Sequence, residues 1–266
     1  MEREPGGGGA VTGRYSARDI WISWSGILFV LVVWQAIATF GLINPAIFPG
    51  PLDVVRAAVT LVPPERVLSH ARTSLTRIAW GFSLGAGLGV LIGVASGWYR
   101  RLATVVRAPI ELLRPIPPLA WIPMAIIWFG LGESSKVFII FLGAFFPVVT
   151  NAYKGMTGVD PDLFRAAQTL GLHGWRLLVR VALPASLPDI ATGVRVGWSL
   201  SFGALVAAEL IAADRGLGFM IMNARELGQI AVIMYGIIVI GALNFLTDWL
   251  IREALFKRRL RWHFAS

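Results

Sequence analysis

Asp160-Pro161-Asp162-Leu163-Phe164-Arg165-Ala166-Ala167-Gln168-Thr169-Leu170-Gly171 is a polar interruption between two long apolar runs, and nine residues after it stands Val181-Ala182-Leu183-Pro184. Asp160 or Asp162 suits the N-cap of a helix whose first turn holds Pro161, where a missing N–H costs nothing. Leu163, Ala166, Ala167 and Leu170 fall on one stripe at helical spacing. Gly171 suits the residue that ends such a helix. The spacing therefore predicts a short amphipathic helix, about residues 161–171, lying at the cytoplasmic face of a membrane. A helix in that position can be pushed by something outside the bilayer.

The remainder of the chain supplies the membrane. Of 266 residues, 56% are hydrophobic and 15% charged, and mean hydropathy is +0.69. A soluble domain carries about 25% charged residues, so lipid must solvate much of this apolar surplus. The net charge of +9 does not indicate nucleic acid, because the cations cluster at the ends of apolar runs rather than along one soluble face. There is no cysteine, and His70, His173 and His263 lie far apart, which argues against a metal site.

Six runs have the length of a membrane helix, about 20 apolar residues: Ile20–Ile43, Ile78–Trp98, the proline-laden Val105–Leu131, Val137–Tyr153, Pro188–Ala213 and Ile230–Ile251. With the N-terminus inside, the inner segments hold Arg3, Arg14, Arg18, Arg100, Arg101, Arg107, Lys154, Arg165, Arg176, Arg180, Arg252, Lys257, Arg258, Arg259 and Arg261. The outer segments hold Arg56, Arg66, Arg72, Arg77, Lys136, Arg215 and Arg225. Fifteen against seven favours an even number of spans with both termini cytoplasmic. Residues 1–19, with four glycines in a row, read as a disordered cytoplasmic tail before a permease domain of residues 20–262. Ala36-Ile37-Ala38 resembles a signal-peptidase site, but the apolar run from Ile20 exceeds a signal core, so the segment reads as a retained helix.

Features within the spans carry further expectations. Gly81, Gly85, Gly89, Gly93 and Gly97 form one stripe on the second span, suited to close helix packing inside one subunit or to a dimer seam. Pro117-Pro118 should break the third span. A break at membrane depth is tolerated only against protein or a wet cavity, so this segment is either beside a translocation path or a kinked packing helix. Charges inside spans face protein or water. Arg195 and Asp248, at similar depths in the fifth and sixth spans, are expected to form a buried ion pair. Arg114 can snorkel to the inner interface, and Glu209 can pair with Arg215 or meet a docked partner. The path candidates are Arg114, Pro117, Pro118, Trp121, Arg195, Trp198 and Glu209. Outside, Leu52, Val55, Val59 and Val62 repeat at helical spacing after the turn at Phe48–Asp53. Residues 215–222 read as a re-entrant or capping loop near the outer gate.

The interruption resembles the EAA loop of ABC-importer permeases, in which Glu-Ala-Ala is followed by three residues, glycine, nine residues and an aliphatic-x-Leu-Pro ending. Ala166, Ala167, Gly171, Val181, Leu183 and Pro184 match, whereas Arg165 stands in the place of the glutamate. Arg114-Pro-Ile-Pro-Pro-Leu-Ala-Trp-Ile-Pro-Met124 and Ile127-Trp-Phe-Gly-Leu-Gly-Glu-Ser-Ser-Lys136 are similar to the nitrate/sulfonate/taurine branch. Leu205–Ala213 with Arg215–Met220 is most similar to taurine permeases. The resemblance implies an all-α integral membrane protein with six transmembrane helices, of the type I ABC importer (MetI-like) permease fold, in a bacterial inner membrane.

It further implies a second permease copy in a homodimer, two ABC ATPase subunits inside and an extracytoplasmic solute-binding protein outside. Asp162, Arg165, Ala166, Ala167, Leu170, Gly171, Leu183 and Pro184 would couple the chain to the ATPase. The cargo implied is a small anionic or zwitterionic solute, taurine or another sulfonate, with nitrate, bicarbonate and thiamine precursors as alternatives within the branch. An ion-coupled secondary carrier is the alternative from another class; it predicts internal repeats and a buried acidic relay, neither of which is visible. Lys136, Lys154 and Lys257 are the only lysines and none follows a glycine, so the chain has no phosphate-cradling P-loop. ATP and magnesium would belong to the partner subunit, this chain binding no cofactor and catalysing no reaction.

Overall fold

The computed structural model describes residues 17–44 and 46–253. Among these residues the secondary structure is entirely helical. In chain order the helices are α1 (Ala17–Thr39), α2 (Pro51–Thr60), α3 (Pro64–Trp98), α4 (Arg100–Leu113), α5 (Ile122–Phe129), α6 (Glu133–Thr157), α7 (Pro161–Thr169), α8 (Gly174–Leu177), α9 (Leu183–Ala212), α10 (Leu217–Glu226) and α11 (Ile230–Arg252). A 3₁₀ turn, Pro118–Trp121, precedes α5, and a π turn, Leu178–Ala182, joins α8 to α9.

Four helical runs are long and apolar enough to cross a membrane: α3, α6, the run Gly174–Ala212 and α11. A fifth crossing results if α4 and the segment Pro118–Phe129, bent by 87° at their junction, count as one broken span. The expected first span is shorter than its apolar run. Its helix has 23 residues and ends at Thr39, before a turn through Gly41, which is about 34 Å at 1.5 Å per residue, and its stretch Trp24–Thr39 is apolar. The expected tail lies outside the described residues up to position 16, and its last three residues already belong to α1. Residues 254–262 of the expected permease domain also lie outside them.

The core is the stack of α3 on α6 on α9. The glycine stripe of α3 faces α6 within the same chain. A methyl added at Gly85 would meet Ala144 at 2.8 Å, one at Gly89 Val148 at 2.9 Å, and one at Gly93 Ala152 at 2.5 Å. Backbones thus approach closely along most of the span, which is how helices gain van der Waals contact where lipid removes any hydrophobic drive for association. Gly87, off the stripe, meets nothing within 4 Å.

Two surface elements differ from the sequence expectation. Helix α2 forms, but its buried face is Val54 and Ala57, with Val62 just beyond it, packed toward Leu217, Met220 and Val232. Leu52, Val55 and Val59 of the expected stripe are exposed, because the covering element, α11, lies on the other side of the helix. The second span begins fourteen residues early, at Pro64. Its N-terminal extension carries Ser74 and Arg77 into the protein, where both are buried.

Candidate functional site: the amphipathic helix, the broken span and the charged clamp

The helix expected from the polar interruption is α7. Asp160 is its N-cap, its carboxylate accepting a hydrogen bond from the Asp162 backbone N–H at 2.8 Å, and Pro161 opens the first turn. Leu170 is the C-cap. Gly171 follows with φ +81°, a conformation that costs a residue with a Cβ about 1–2 kcal/mol. Ala167 is buried and Phe164 half-buried, the latter facing Trp98 with ring centroids 6.4 Å apart. This face seats the helix on Met156, Leu178 and Ala182, where α6 ends and the run into α9 begins. Of the expected apolar stripe, only Ala167 is buried. Leu163, Ala166 and Leu170 are exposed, as are Asp162 and Arg165, which pair with each other at 3.2 Å. Trp175 extends the exposed apolar surface. Leu183 and Pro184 are half-buried at the start of α9. α7 is thus anchored on one side and open on the other.

The third span breaks where the prolines stand. α4 stops at Leu113, Arg114 caps it, and after Pro117 the chain restarts as the 3₁₀ turn Pro118–Trp121. Pro118 and Arg114 line a cavity of about 210 Å³ together with Gly143, Thr150, Asn151 and Leu200. Arg114 also lines a neighbouring cavity of about 230 Å³ with Ser96, Arg107, Glu111 and Tyr153. Its guanidinium makes no hydrogen bond or ion pair with any described residue. No residue of α4 is buried, and the helix carries Arg100, Arg101, Arg107 and Glu111, with Arg114 at its C-cap. Pro117 is exposed at the break. Trp121 is half-buried beside Ile122, Ala125 and Ile139, and its indole N–H is enclosed without a hydrogen-bond partner among the described residues.

The other path candidates are elsewhere. Trp198 is buried in a packing cluster, edge-on to Phe82 at 4.9 Å, with its N–H donated to Thr247 Oγ1 at 3.2 Å. It lines none of the cavities described above. Arg195 and Asp248 do pair, at 3.1 and 3.2 Å through two parallel bonds. The pair is not buried, for the arginine side chain is 46% exposed.

Glu209 is enclosed, at 1% exposure, and its cation is Arg77 rather than Arg215. Arg77 donates to Glu209 at 2.9 Å and, through two bonds of 2.6 Å, to Glu133. It also donates to the backbone carbonyl of Arg215. Ser74 donates to the same Glu209 carboxylate and accepts from the Leu217 N–H, while the Gly218 N–H donates to Glu209 at 2.9 Å. His70 Nδ1 accepts from the Gly216 N–H at 3.1 Å. Gly216 has φ +120°, and a methyl there would run into the Glu209 carboxylate. The result is a charged clamp that ties α3, α6 and α9 to the loop entering α10, at the opposite end of the core from α7. Sequence reasoning missed Ser74 and Arg77 by assigning them to an outer connection. The usable signal was Glu209 itself, since an acid in an apolar span requires a cation. It also missed Thr150 and Asn151, which read as ordinary polar residues of the fourth span.

Comparison with known proteins matches residues 85–262 to the family described as binding-protein-dependent transport system inner membrane component. The taurine transport system permease protein TauC of Escherichia coli (strain K12) is 39% identical over 93% of this chain and 91% of its own. The putative aliphatic sulfonates transport permease protein SsuC of Bacillus subtilis (strain 168) is 37% identical over 88% of this chain and 84% of its own. The bicarbonate transport system permease protein CmpB of Synechococcus elongatus (strain ATCC 33912 / PCC 7942 / FACHB-805) is 32% identical over 91% of this chain and 92% of its own.

Proposed function

Because the chain belongs to the family of binding-protein-dependent transport inner membrane components, we propose that it is the permease subunit of an ATP-driven importer whose cargo is a small sulfonate, taurine being the favoured case. The observation that carries the reading is α7, a capped helix seated on the inner ends of α6 and α9 with Leu163, Ala166 and Leu170 uncovered. An apolar helical face open beside the bilayer requires a partner. In this reading a separate ATPase subunit covers it and binds the ATP and magnesium. Asp162, Arg165, Ala166, Ala167, Leu170 and Gly171 form the contact, and Leu183 and Pro184 pass the motion into α9.

Two copies of the chain face each other across the broken span. α4 buries none of its residues yet carries Arg100, Arg101, Arg107 and Glu111. At membrane depth such a face must meet protein or water, and a second copy with a wet path between the two satisfies it. Both termini then lie in the cytoplasm, and the extracytoplasmic binding protein delivers cargo at the end held by the Arg77–Glu209 clamp. The sulfonate reading rests on the similarity to TauC and SsuC. Bicarbonate is the second reading, on the similarity to CmpB.

Uptake by a deletion strain, measured with taurine, an alkanesulfonate, bicarbonate and nitrate in turn, tests the cargo. Loss of taurine and alkanesulfonate uptake is the expected result. Loss confined to bicarbonate or nitrate would overturn the sulfonate reading. For the coupling role, Gly171→Asp is expected to abolish most transport while the permease still inserts. Normal uptake by that variant would remove α7 from the mechanism.

A further inference from the structure

The cavity of about 210 Å³ at the broken span has an uneven distribution of hydrogen-bonding groups. Arg114 supplies a cation with no partner among the described residues, held at the end of α4 where the following prolines stop the helix. The lining residues on α6 supply acceptors. Asn151 donates its amide N–H to the Pro147 carbonyl at 2.8 Å, which leaves Oδ1 as an acceptor. Thr150 donates its hydroxyl to the Phe146 carbonyl at 2.8 Å, which leaves its lone pairs. Pro147 has no N–H, so the Gly143 carbonyl, also on α6, lacks its usual helical donor. The space between is apolar, with Leu142, Phe146 and Leu200 among its lining residues.

One set of lining groups therefore attracts an anion and the other repels it. A simple anion satisfies only Arg114. A molecule with an anionic head, a short alkyl link and an ammonium satisfies both sets. We propose that this cavity is a zwitterion subsite, in which the Arg114 guanidinium takes the sulfonate of an aminosulfonate cargo and Asn151 Oδ1 with Thr150 Oγ1 take its ammonium. The site rests on the cargo reading above and sharpens it. It favours an aminosulfonate over alkanesulfonates and excludes inorganic anions such as nitrate, which have no cationic end.

The test is equilibrium binding of labelled taurine and of ethanesulfonate, which lacks the ammonium, to the purified permease–ATPase complex in nanodiscs without the binding protein. Taurine is expected to bind about tenfold more tightly, the usual scale for hydrogen bonds to a charged group. Asn151→Leu and the isosteric Thr150→Val are each expected to shrink that ratio toward one. Arg114→Gln is expected to weaken both ligands together. Equal binding of the two ligands to the wild-type complex, undetectable taurine binding at millimolar concentration, or an unchanged ratio in both wall variants would overturn the subsite. Uptake by the complete transporter in proteoliposomes separates the two levels. Sulfonate import with no taurine preference at the cavity overturns the subsite alone, whereas import of neither sulfonate overturns the cargo reading and the subsite with it.

Discussion

Arg77 and Glu209 are 132 positions apart, yet each is the other's main reason for being tolerated inside the protein. Their side chains are 2% and 1% exposed. An ion pair taken this far out of water gains little net stability, because desolvation offsets the attraction. Removing one partner is another matter, since it leaves an uncompensated charge, at a cost of about 3–5 kcal/mol. Arg77→Ala is therefore expected to lower stability by that order, read as a fall in the unfolding midpoint of the purified protein in detergent. Arg77→Lys should recover only part of the loss, because an ammonium cannot reproduce the paired bonds to Glu133 together with the bond to Glu209. Arg165, which occupies the place of the glutamate in the EAA pattern, has a simpler local account. It pairs with Asp162 one turn earlier on the exposed side of α7, a contact worth under about 1 kcal/mol at a surface. Arg165→Ala should leave the stability of the isolated permease within about 0.5 kcal/mol of the wild type, by the same detergent unfolding measurement.

At the scale of elements, the α3–α6 seam and the break in the third span decide the architecture. On the seam, Gly93→Val is expected to reduce the folded yield severely, because the new side chain would have to occupy the space of Ala152 and the Val149 carbonyl. Gly87→Ala on the same helix should be tolerated, as nothing lies within 4 Å of the added methyl. Gel-filtration profiles of the two variants check the contrast. These elements were also the most legible from sequence. The four-residue glycine spacing pointed to close packing, and the Pro117-Pro118 pair pointed to the break, because both reflect local backbone chemistry. What escaped was whatever depends on which neighbour covers an element. Periodicity predicts α2 and α7 as helices, but both carry apolar residues on more than one side. Periodicity cannot say which side meets the protein. The partner of Glu209 escaped for the same reason. Arg215 is near in sequence, whereas Arg77 arrives only through the packing of α3 against α9.

At the scale of the whole molecule, one end holds a capped helix with an uncovered apolar face and the other a charged clamp over the loop into α10. A broken helix, with an arginine that has no partner among the described residues, lies between them. An importer driven from inside and loaded from outside needs a device at each end and a path in the middle. The absence of a P-loop from the sequence assigns energy conversion to another chain, and the proposed contact for it is the uncovered side of α7. The most direct measurement is cargo uptake into proteoliposomes that contain the permease with its copurified ATPase, with the binding protein loaded with labelled taurine on the outside and ATP sealed within. The expected result is accumulation that requires both internal ATP and the binding protein and that is lost in Gly171→Asp. Accumulation driven by an imposed proton or sodium gradient without ATP, or purification of the active permease without any ATPase, would contradict it.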